Sequence, residues 1–275
     1  MVDSVSSPDI VELDIPGLAP GLKMRLHAAG DQIISARLRQ ERCWEVYETA
    51  LTLQHLHPGD VYVDVGANIG YYTLLAAQRV GVQGRVIAYE PDKNNFALLR
   101  SNIDMNHFSQ VDIFPCALSD QNATGHLFLS DDNFGDHRIY ESPYVRQRRA
   151  IALVKGDEHL GRLTTRMDFL KIDTQGSEFF VMKGLSGLLE RNREHLRMII
   201  EFCPYGIRHS GANGHELVRM LENLQMQYNI IDHQQQCLIP AQAHHLDEWV
   251  SRMADEPLNE GFINLLVTPK GYKVE

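Results

Sequence analysis

Two glycines, an acid and an asparagine interrupt the apolar residues of the stretch VYVDVGANIGYYTLLA, residues 61–76. The residues before the interruption are β-branched and aromatic, which is typical of a buried parallel strand. Those after it recur at helical spacing. Gly66 and Gly70 stand at the join, where glycine permits a tight turn and a close approach of the backbone to a bound molecule. A strand that turns through glycines into a helix N-terminus predicts a ligand site.

Three kinds of nucleotide site compete for this stretch. The phosphate loop of nucleotide hydrolases needs a Lys-Ser or Lys-Thr pair, which does not follow here, and the dinucleotide fingerprint needs a glycine at the position of Asn68. The S-adenosylmethionine loop E/D-x-G-x-x-x-G fits the spacing. This cofactor has no pyrophosphate but carries an ammonium and a sulfonium, so an acid at the strand end suits it. We therefore predict cofactor binding by Asp64, Gly66, Ala67, Asn68, Gly70 and Tyr71.

The next two strand ends fit the same ligand. Glu90 lies 24 residues after Gly66 (90 − 66), close to the offset of about 20 at which an acid reaches ribose hydroxyls. Pro91 suits the first turn of the helix that follows. The third strand ends at Ala117 and Leu118, where an adenine ring would meet small residues and polar backbone. Three such features in order predict a nucleoside-type ligand.

The elements that position these residues alternate between strands and helices. This alternation predicts an α/β protein with a parallel sheet and helices on both faces. Two later runs, 228–232 and 262–268, predict an antiparallel hairpin at the sheet edge. The strands are expected at 61–65, 85–90, 111–118, 167–173 and 198–202, and the helices at about 70–80, 92–105, 177–191 and 214–226.

Two segments stand apart from this alternation. Residues 11–27 predict a small N-terminal β-hairpin, and residues 43–56 a helix that ends at Pro58-Gly59, so we expect residues 1–57 to form an extension packed on the core. Residues 119–163 are long, polar and loop-like. An insertion of this kind after a strand predicts a lid or a substrate loop.

Composition limits the classes of partner. The chain has 275 residues, 44% of them hydrophobic, and a net charge of −10, so a nucleic-acid surface would need a local basic patch. The cluster of Arg146, Arg148 and Arg149 is read as a solvated loop or an anion contact. The four cysteines are scattered, and no signal peptide or run of about 20 apolar residues occurs. We expect a soluble cytoplasmic protein with neither nucleic acid nor membrane as a partner.

Several segments resemble the FkbM family of S-adenosylmethionine-dependent methyltransferases, and the similarity runs from about Asp31 to Thr268. The most distinctive segment is KIDTQGSE, which resembles the family's K-I-D-x-E-G-x-E but has Gln175 where glutamate is usual, so one possible charge is removed. The matching segments are WE (44–45), PGDVYVDVGANIGYYT (58–73), YEPD (89–92), CALSD (116–120), FLKIDTQGSE (169–178) and MIIEF (198–202).

The resemblance implies a fold and an activity. The fold is a doubly wound, mostly parallel seven-stranded sheet, Rossmann-like as in class I methyltransferases, with the methyltransferase domain at residues 58–275. The activity is methyl transfer from S-adenosylmethionine, often to hydroxyls of sugars or natural products. Through the WE pair, the resemblance places Glu45 at the amino end of the cofactor, although an ordinary helix salt bridge is the competing interpretation. Asp173 and Gln175 are expected at the cofactor as well.

Methyl transfer to an alcohol needs a base, because the hydroxyl loses a proton as it attacks. Asp173 ends the fourth strand at the edge where such sheets bind ligands, although a helix cap is the alternative. Glu178 is a second candidate, or simply an acid that favours a helix N-terminus. Glu201 interrupts an apolar run, so it must be paired or functional. His137 lies in the predicted lid and is either a base over the acceptor or a solvated residue.

The sequence thus favours one function and leaves others open. We expect an O-methyltransferase that acts on a small molecule, a sugar or a natural product. The alternative is methylation of a nitrogen on a peptide or other natural product, which motif spacing does not separate. A dinucleotide oxidoreductase is disfavoured by Asn68, and retention of the motif acids disfavours a non-catalytic binding domain. No metal is assigned, and the acceptor and the oligomeric state stay open.

Overall fold

Eight strands form the main sheet in the computed structural model, which describes residues 9–141, 146–253, 255 and 261–273. From one edge to the other the order is β12, β11, β13, β10, β9, β3, β4, β5. In chain order the strands are β1 (Ile10–Glu12), β2 (Lys23–Arg25), β3 (Val61–Val65), β4 (Arg85–Tyr89), β5 (Val111–Phe114), β6 (Ala117–Ser119), β7 (Ala123–Leu129), β8 (Gln147–Lys155), β9 (Phe169–Ile172), β10 (Arg197–Phe202), β11 (Gln227–Asp232), β12 (Cys237–Ala241) and β13 (Ile263–Thr268).

The described helices separate most of these strands. None of them combines the length and the apolar character that crossing a bilayer requires. They are α1 (Ile34–Glu41), α2 (Val46–His55), α3 (Tyr71–Val80), α4 (Lys93–Met105), α5 (Gly156–Leu160), α6 (Glu178–Gly184), α7 (Ser186–Asn192), α8 (Pro204–His209), α9 (Gly214–Asn223) and α10 (Ala243–Met253).

Strands β10, β9, β3, β4 and β5 are parallel neighbours, whereas β13 and β12 run antiparallel to the strands beside them. The predicted α/β architecture with a mostly parallel sheet is therefore confirmed. The expected strand number of seven is wrong, because the described residues add β12 as an eighth strand. The expected edge hairpin is also misplaced: β13 inserts between β10 and β11, and β12 forms the edge.

Apolar side chains cover both faces of the main sheet. Along β3, Val63 and Val65 pack into one core cluster, while Tyr62 packs into the other. Successive residues of a strand point to opposite faces, so a strand with apolar residues at almost every position needs packing on both sides. Helices α6, α7 and α9 supply one layer, and α3 and α4 contribute to the other.

A second sheet with the order β6, β8, β7 occupies most of the segment that was expected to be a loop. The expectation of a loop-like segment at residues 119–163 is thus wrong, since β7 and β8 pair as a hairpin and α5 follows. The expected strand at 111–118 is split into β5 and β6 at Pro115, which has no N–H to give to a strand ladder. The expected helix at 177–191 is likewise split into α6 and α7.

The N-terminal hairpin of β1 and β2 is confirmed, with Val11 opposite Met24. Its apolar side chains share a core cluster with α3 and α4, so the extension is packed on the sheet. The boundary at residues 57 and 58 stays a prediction.

Asn102 of α4 joins three parts of this layer. Its buried amide accepts a hydrogen bond from Arg25 N at 2.6 Å and donates to Arg25 O at 3.0 Å and to Ile69 O at 2.8 Å. One turn later, Asn106 makes the matching pair of bonds to the backbone of Lys23 at an exposed position. Asn102 therefore connects the hairpin to the glycine loop at the end of β3.

We expect Asn102→Ala to lower the free energy of unfolding by about 2–4 kcal/mol, because it leaves buried backbone groups without partners. Asn106→Ala is the matched control and should cost less than about 1 kcal/mol, since water replaces the lost bonds. Urea unfolding of the two variants measures the difference. Equal losses would show that Asn102 does not connect these elements.

Candidate active site

A cavity of about 480 Å³ opens at the carboxyl ends of β3, β4, β9 and β10. From β3 the chain continues to β4 on one side and later to β9 on the other, so this edge is a topological switch point. The volume lies within the range of about 300–1,000 Å³ that small-molecule sites occupy. The remaining wall comes from residues 133–139, which connect β7 to β8.

Most of the residues that the sequence analysis singled out meet in this cavity. Five others lie outside its lining, namely Asp64, Ala67, Gly70, Tyr71 and Glu178. A cofactor role for any of these residues stays a prediction. The predicted residues in the lining are Glu45, Gly66, Asn68, Glu90, Pro91, Ala117, Leu118, His137, Asp173, Gln175 and Glu201.

The glycine loop is held by the protein itself. Gly66 has a φ of +87°, and a Cβ there would lie 1.9 Å from the carbonyl oxygen of Asp173. The N–H groups of Gly66 and Ala67 both donate to Tyr89 O at 3.0 Å. Gly66 is thus required by the close approach of its own chain, whereas the sequence analysis expected a bound molecule in that position.

The residues outside the lining support those within it. The Asp64 carboxylate accepts from Thr73 Oγ1 at 2.6 Å, and burial raises its pKa to about 6 despite this bond. Trp44 N donates to the hydroxyl oxygen of Tyr71 at 3.1 Å, which fixes the backbone beside Glu45. A Cβ at Gly70 would lie 2.6 Å from Leu99 Cδ1, so this glycine serves helix packing.

Glu90 organises the two loops around it. Its Oε2 accepts from Asn68 N and its Oε1 from Asp92 N, both at 2.8 Å. Burial raises the pKa of Glu90 to about 8, against the effect of these two bonds. Each oxygen of a carboxyl group has a further lone pair, so Glu90 retains capacity for a hydroxyl donor in the cavity.

A buried ammonium lies below the acidic side of the cavity. Lys171 on β9 is 4% exposed, and its Nζ lies 3.1 Å from Asp173 Oδ2 and 3.5 Å from Glu48 Oε1. It also lies 4.5 Å from the ring centroid of Tyr72. Burial alone would lower the pKa of Lys171, but the nearby carboxylates raise it, so the ammonium stays charged.

Carboxyl groups outnumber this one cation. Burial and then Glu48 raise the pKa of Glu45 to about 8, and its Oε2 accepts from the Tyr72 hydroxyl at 2.9 Å. Burial and then Asp173 raise the pKa of Glu201. In contrast, Lys171 and Gln175 outweigh the effect of burial and lower the pKa of Asp173. This side of the cavity therefore favours a bound cation.

Gln175 joins the two strand ends that carry the acids. Its Nε2 donates to Asp173 Oδ1 at 2.8 Å and to Glu201 Oε2 at 2.7 Å. The two N–H groups of one amide thus serve two carboxylates, which a glutamate at this position would not do. Glu178, in contrast, accepts from Thr174 and Gly176 through Oε1 and fixes the turn after β9. Burial raises its pKa to about 7.

His137 does not present a base to the cavity. Its Nδ1 accepts a hydrogen bond from Ser130 N at 3.1 Å, so the proton of the neutral ring lies on Nε2. Burial lowers the pKa of His137, which keeps the ring neutral. In this tautomer Nε2 is a donor, and the expected base role is not supported.

The wall that residues 133–139 form is attached to the glycine loop. The backbone oxygen of Phe134 accepts from Asn68 Nδ2 and from Asn95 Nδ2, both at 3.0 Å. The Phe134 ring packs edge-on against His27 at 4.7 Å between centroids. Both asparagines line the cavity, so this wall and the nucleoside end of the site are one connected structure.

Sequence reasoning missed several residues of the site, among them Lys171, Glu48, Phe134 and Arg138. The signal for Lys171 was present, because a charge inside an apolar strand must be paired, as was argued for Glu201. No spacing rule relates Phe134 or Arg138 to the strand ends. Among the described residues, no three His, Cys, Asp or Glu side chains are grouped so that they could hold a metal ion.

Comparison with protein families gives one match. A family model described as Methyltransferase FkbM domain matches residues 64–230, which is 167 of the 275 residues.

Individual proteins match as well. The chain is 27% identical over 149 residues to Methyltransferase 1 of Beauveria bassiana (strain ARSEF 2860), covering 46% of this chain and 59% of that protein. It is 41% identical over 81 residues to 31-O-demethyl-FK506 methyltransferase FkbM of Streptomyces tacrolimicus, covering 28% and 30%. The crystal structure of Methyltransferase FkbM from Methylobacillus flagellatus KT has a TM-score of 0.43 at 16% identity, covering 75% and 43%. Each match covers less than two thirds of the other protein.

We expect Gln175→Glu to destabilise the protein increasingly as pH rises. Asp173 and Glu201 would raise the pKa of the new carboxyl group above its unfolded value of about 4.3, so it folds protonated and its penalty grows as pH passes upward through the folded pKa. The added loss of unfolding free energy should reach about 1–3 kcal/mol at pH 8, at roughly 1.4 kcal/mol per pKa unit. Urea unfolding of the variant and the wild type at pH 5.5 and pH 8 measures this difference in unfolding free energy.

The control is Gln83→Glu at an exposed turn after α3, which should show no such dependence. If the two variants respond alike to pH, Gln175 does not separate the two carboxylates.

Proposed function

The chain belongs to the FkbM methyltransferase family, and from this premise we propose that it is an S-adenosylmethionine-dependent methyltransferase that methylates a hydroxyl group of a small molecule. The observation that carries this proposal is the cavity at the switch point, in which the bridged carboxyl groups at the ends of β9 and β10 lie beside a nucleoside-type loop.

The residues present fit the cofactor. Its ammonium and sulfonium suit the acidic side of the cavity, where Glu45 and Asp173 line the wall. Its ribose hydroxyls suit the free acceptor capacity of Glu90. Ala117 and Leu118 offer a small apolar surface for adenine. When bound, S-adenosylmethionine supplies an electrophilic methyl group on sulfur.

The task of the chain is to orient the acceptor and to exclude water. Residues 133–139 cover the cavity from the side opposite the strand ends, and their attachment through Asn68 couples them to the glycine loop. An acceptor hydroxyl placed between this wall and the strand ends lies next to the carboxylates.

We assign proton removal to Asp173 and Glu201 acting as one unit. Gln175 donates a hydrogen bond to each of the two carboxyl groups. Because the groups interact, each proton that they lose or gain is a property of the pair and not of one residue. Lys171 keeps Asp173 ionised, whereas burial and then Asp173 raise the pKa of Glu201, so Glu201 favours the protonated form. The proton of the acceptor hydroxyl passes to the carboxylate of Asp173, the ionised member of the pair, and the Gln175 amide holds both carboxyl groups through its two N–H donors.

Two further features support a small-molecule oxygen as the acceptor. One relative is named a 31-O-demethyl-FK506 methyltransferase, which indicates an oxygen acceptor for that protein. The cavity of about 480 Å³ and the net charge of −10 favour a small molecule over a nucleic acid. A nitrogen acceptor on a peptide or natural product is the second candidate, since the acidic side would also bind an ammonium. A cytoplasmic location and a role in natural product biosynthesis belong to this proposal.

We expect binding of S-adenosylmethionine to release protons. At pH 7 a carboxyl group with a pKa of about 8, such as Glu45, is mostly protonated, and a cation beside it favours the ionised form. The affinity should therefore rise between pH 6 and 7.5, with release of about half to one proton per cofactor at pH 7. Calorimetry in buffers of different ionisation enthalpy measures the release.

S-adenosylhomocysteine is the matched ligand, because it has the same ammonium but no sulfonium, and it should release fewer protons. NAD should not bind. Binding enthalpies that are the same in every buffer would contradict the model of protonated acids, and failure of both adenosyl ligands to bind would overturn the proposed function.

We expect Asp173→Asn and Glu201→Gln each to reduce turnover by about 10²–10⁴, the range for loss of a general base. A group that acts in the transition state lowers kcat and kcat/KM together. Cofactor affinity should stay within a few-fold for Glu201→Gln, because only Asp173 of the pair is also placed beside the cofactor. The double variant should be no worse than about tenfold below the slower single one, because the pair acts as a unit. Single variants that retain turnover within a few-fold would remove the pair from the mechanism.

A further inference from the structure

Arg138 is a buried cation in the wall that residues 133–139 form. It is 7% exposed and lines the cavity. Backbone hydrogen bonds of 2.7 and 3.1 Å with Phe128 of β7 fix its position. Its Nε donates to Asp136 Oδ1 at 2.6 Å, whereas no described residue accepts a hydrogen bond from its two Nη groups. The guanidinium therefore has an unused pair of parallel donors.

The charge of Arg138 is only partly balanced. Asp136 is shared, because Arg146 Nη2 donates to its Oδ2 at 2.6 Å and Nη1 to its backbone oxygen. Two guanidinium groups on one carboxylate leave one net positive charge on this wall. Beside it, His137 carries its proton on Nε2 and adds a neutral donor. Arg138 and His137 thus give this wall hydrogen-bond donors beside the Asp136 carboxylate. The strand ends carry the acidic acceptors.

We propose that the methyl acceptor carries a carboxylate in addition to the hydroxyl that is methylated, and that Arg138 binds this carboxylate. This inference rests on the proposed function and names the acceptor class as hydroxy acids. The carboxylate pairs with the donor wall and so directs the hydroxyl toward the strand ends.

A carboxylate fits better than a phosphate. The free edge of a guanidinium makes two parallel hydrogen bonds, which match the two oxygens of a planar carboxylate. One net charge on the wall balances a monoanion and leaves a phosphate dianion in excess, close to the acidic side. Leu127, Ile139 and Phe262 line the same cavity and suit an apolar body between the two polar ends.

The position of Arg138 relative to the acids supports this arrangement. Cys203 follows β10 directly and lines the cavity. Burial and then Glu201 raise the pKa of its thiol to about 12, and Arg138 lowers it, so both charged groups lie near this thiol. A small molecule is therefore long enough to reach from Arg138 to Glu201.

The test uses sodium benzoate as the probe, titrated into the whole protein saturated with S-adenosylhomocysteine. Benzamide and phenyl phosphate are the matched neutral and dianionic probes. We expect benzoate to bind at least tenfold more tightly than either of them. Arg138→Gln should weaken benzoate at least tenfold and leave benzamide unchanged.

Arg148→Gln is the matched control, because it removes the same charge from an exposed position on β8 and should leave benzoate binding unchanged. Thermal unfolding confirms that each variant is folded, and Arg138→Lys, which keeps the charge but not the paired donors, should show an intermediate loss. With an active acceptor in hand, the hydroxy acid should be methylated at least tenfold more efficiently than its methyl ester, and Arg138→Gln should remove this preference.

The outcomes separate the two proposals. If S-adenosylhomocysteine does not bind, the proposed function fails before Arg138 is tested. If it binds but benzoate does not, or binds equally to wild type and Arg138→Gln, the carboxylate assignment is overturned. Preference for phenyl phosphate overturns the choice of carboxylate as well. If Arg138→Gln does not fold, Arg138→Lys decides the test. The carboxylate assignment is overturned if this variant binds both benzoate and benzamide with the wild-type affinity.

Discussion

The ammonium of Lys171 is the one buried cation around which the carboxyl groups of the sheet edge are arranged. It lies on β9 in register with Asp64 of β3, between Asp173 and Glu48. Burying an unpaired charge is expensive, so a lysine here requires acids, and acids at these positions require the lysine. Since the acids outnumber it, several of them hold raised pKa values. The surplus of acids over this one lysine makes the edge of the sheet attractive to a bound cation.

The opposite wall completes the site with the reverse polarity. Residues 133–139 present donors from Arg138 and His137, and their backbone is attached to the glycine loop through Asn68 and Asn95. A cavity that has acceptors on one side and donors on the other orients any molecule that carries both kinds of group. The backbone of this wall is therefore bonded to the glycine loop, which lines the same cavity.

The turn after β9 positions one side chain between two carboxyl groups. Gln175 has a φ of +54°, a backbone conformation that is unfavourable for a residue with a side chain. Glu178 holds this turn through three hydrogen bonds to one oxygen. The strained position directs the Gln175 amide toward Asp173 and Glu201 at once. Strain at such a place indicates a functional constraint, since a relaxed turn would leave the two acids to repel each other.

The sequence by itself determined the alternating architecture, the N-terminal hairpin and the strand ends that line the cavity. These follow from apolar periodicity and from glycine and proline positions, which act within a few residues. Tertiary structure decided the rest. The insertion of β13 between β10 and β11, the second sheet and the pairing of Lys171 depend on contacts between residues far apart in the chain. The tautomer of His137 and the free edge of Arg138 are fixed by neighbours that no local pattern specifies. Residue types predicted which groups could act, but only packing determined which of them face one another, because the energy of a buried charge depends on its surroundings in space.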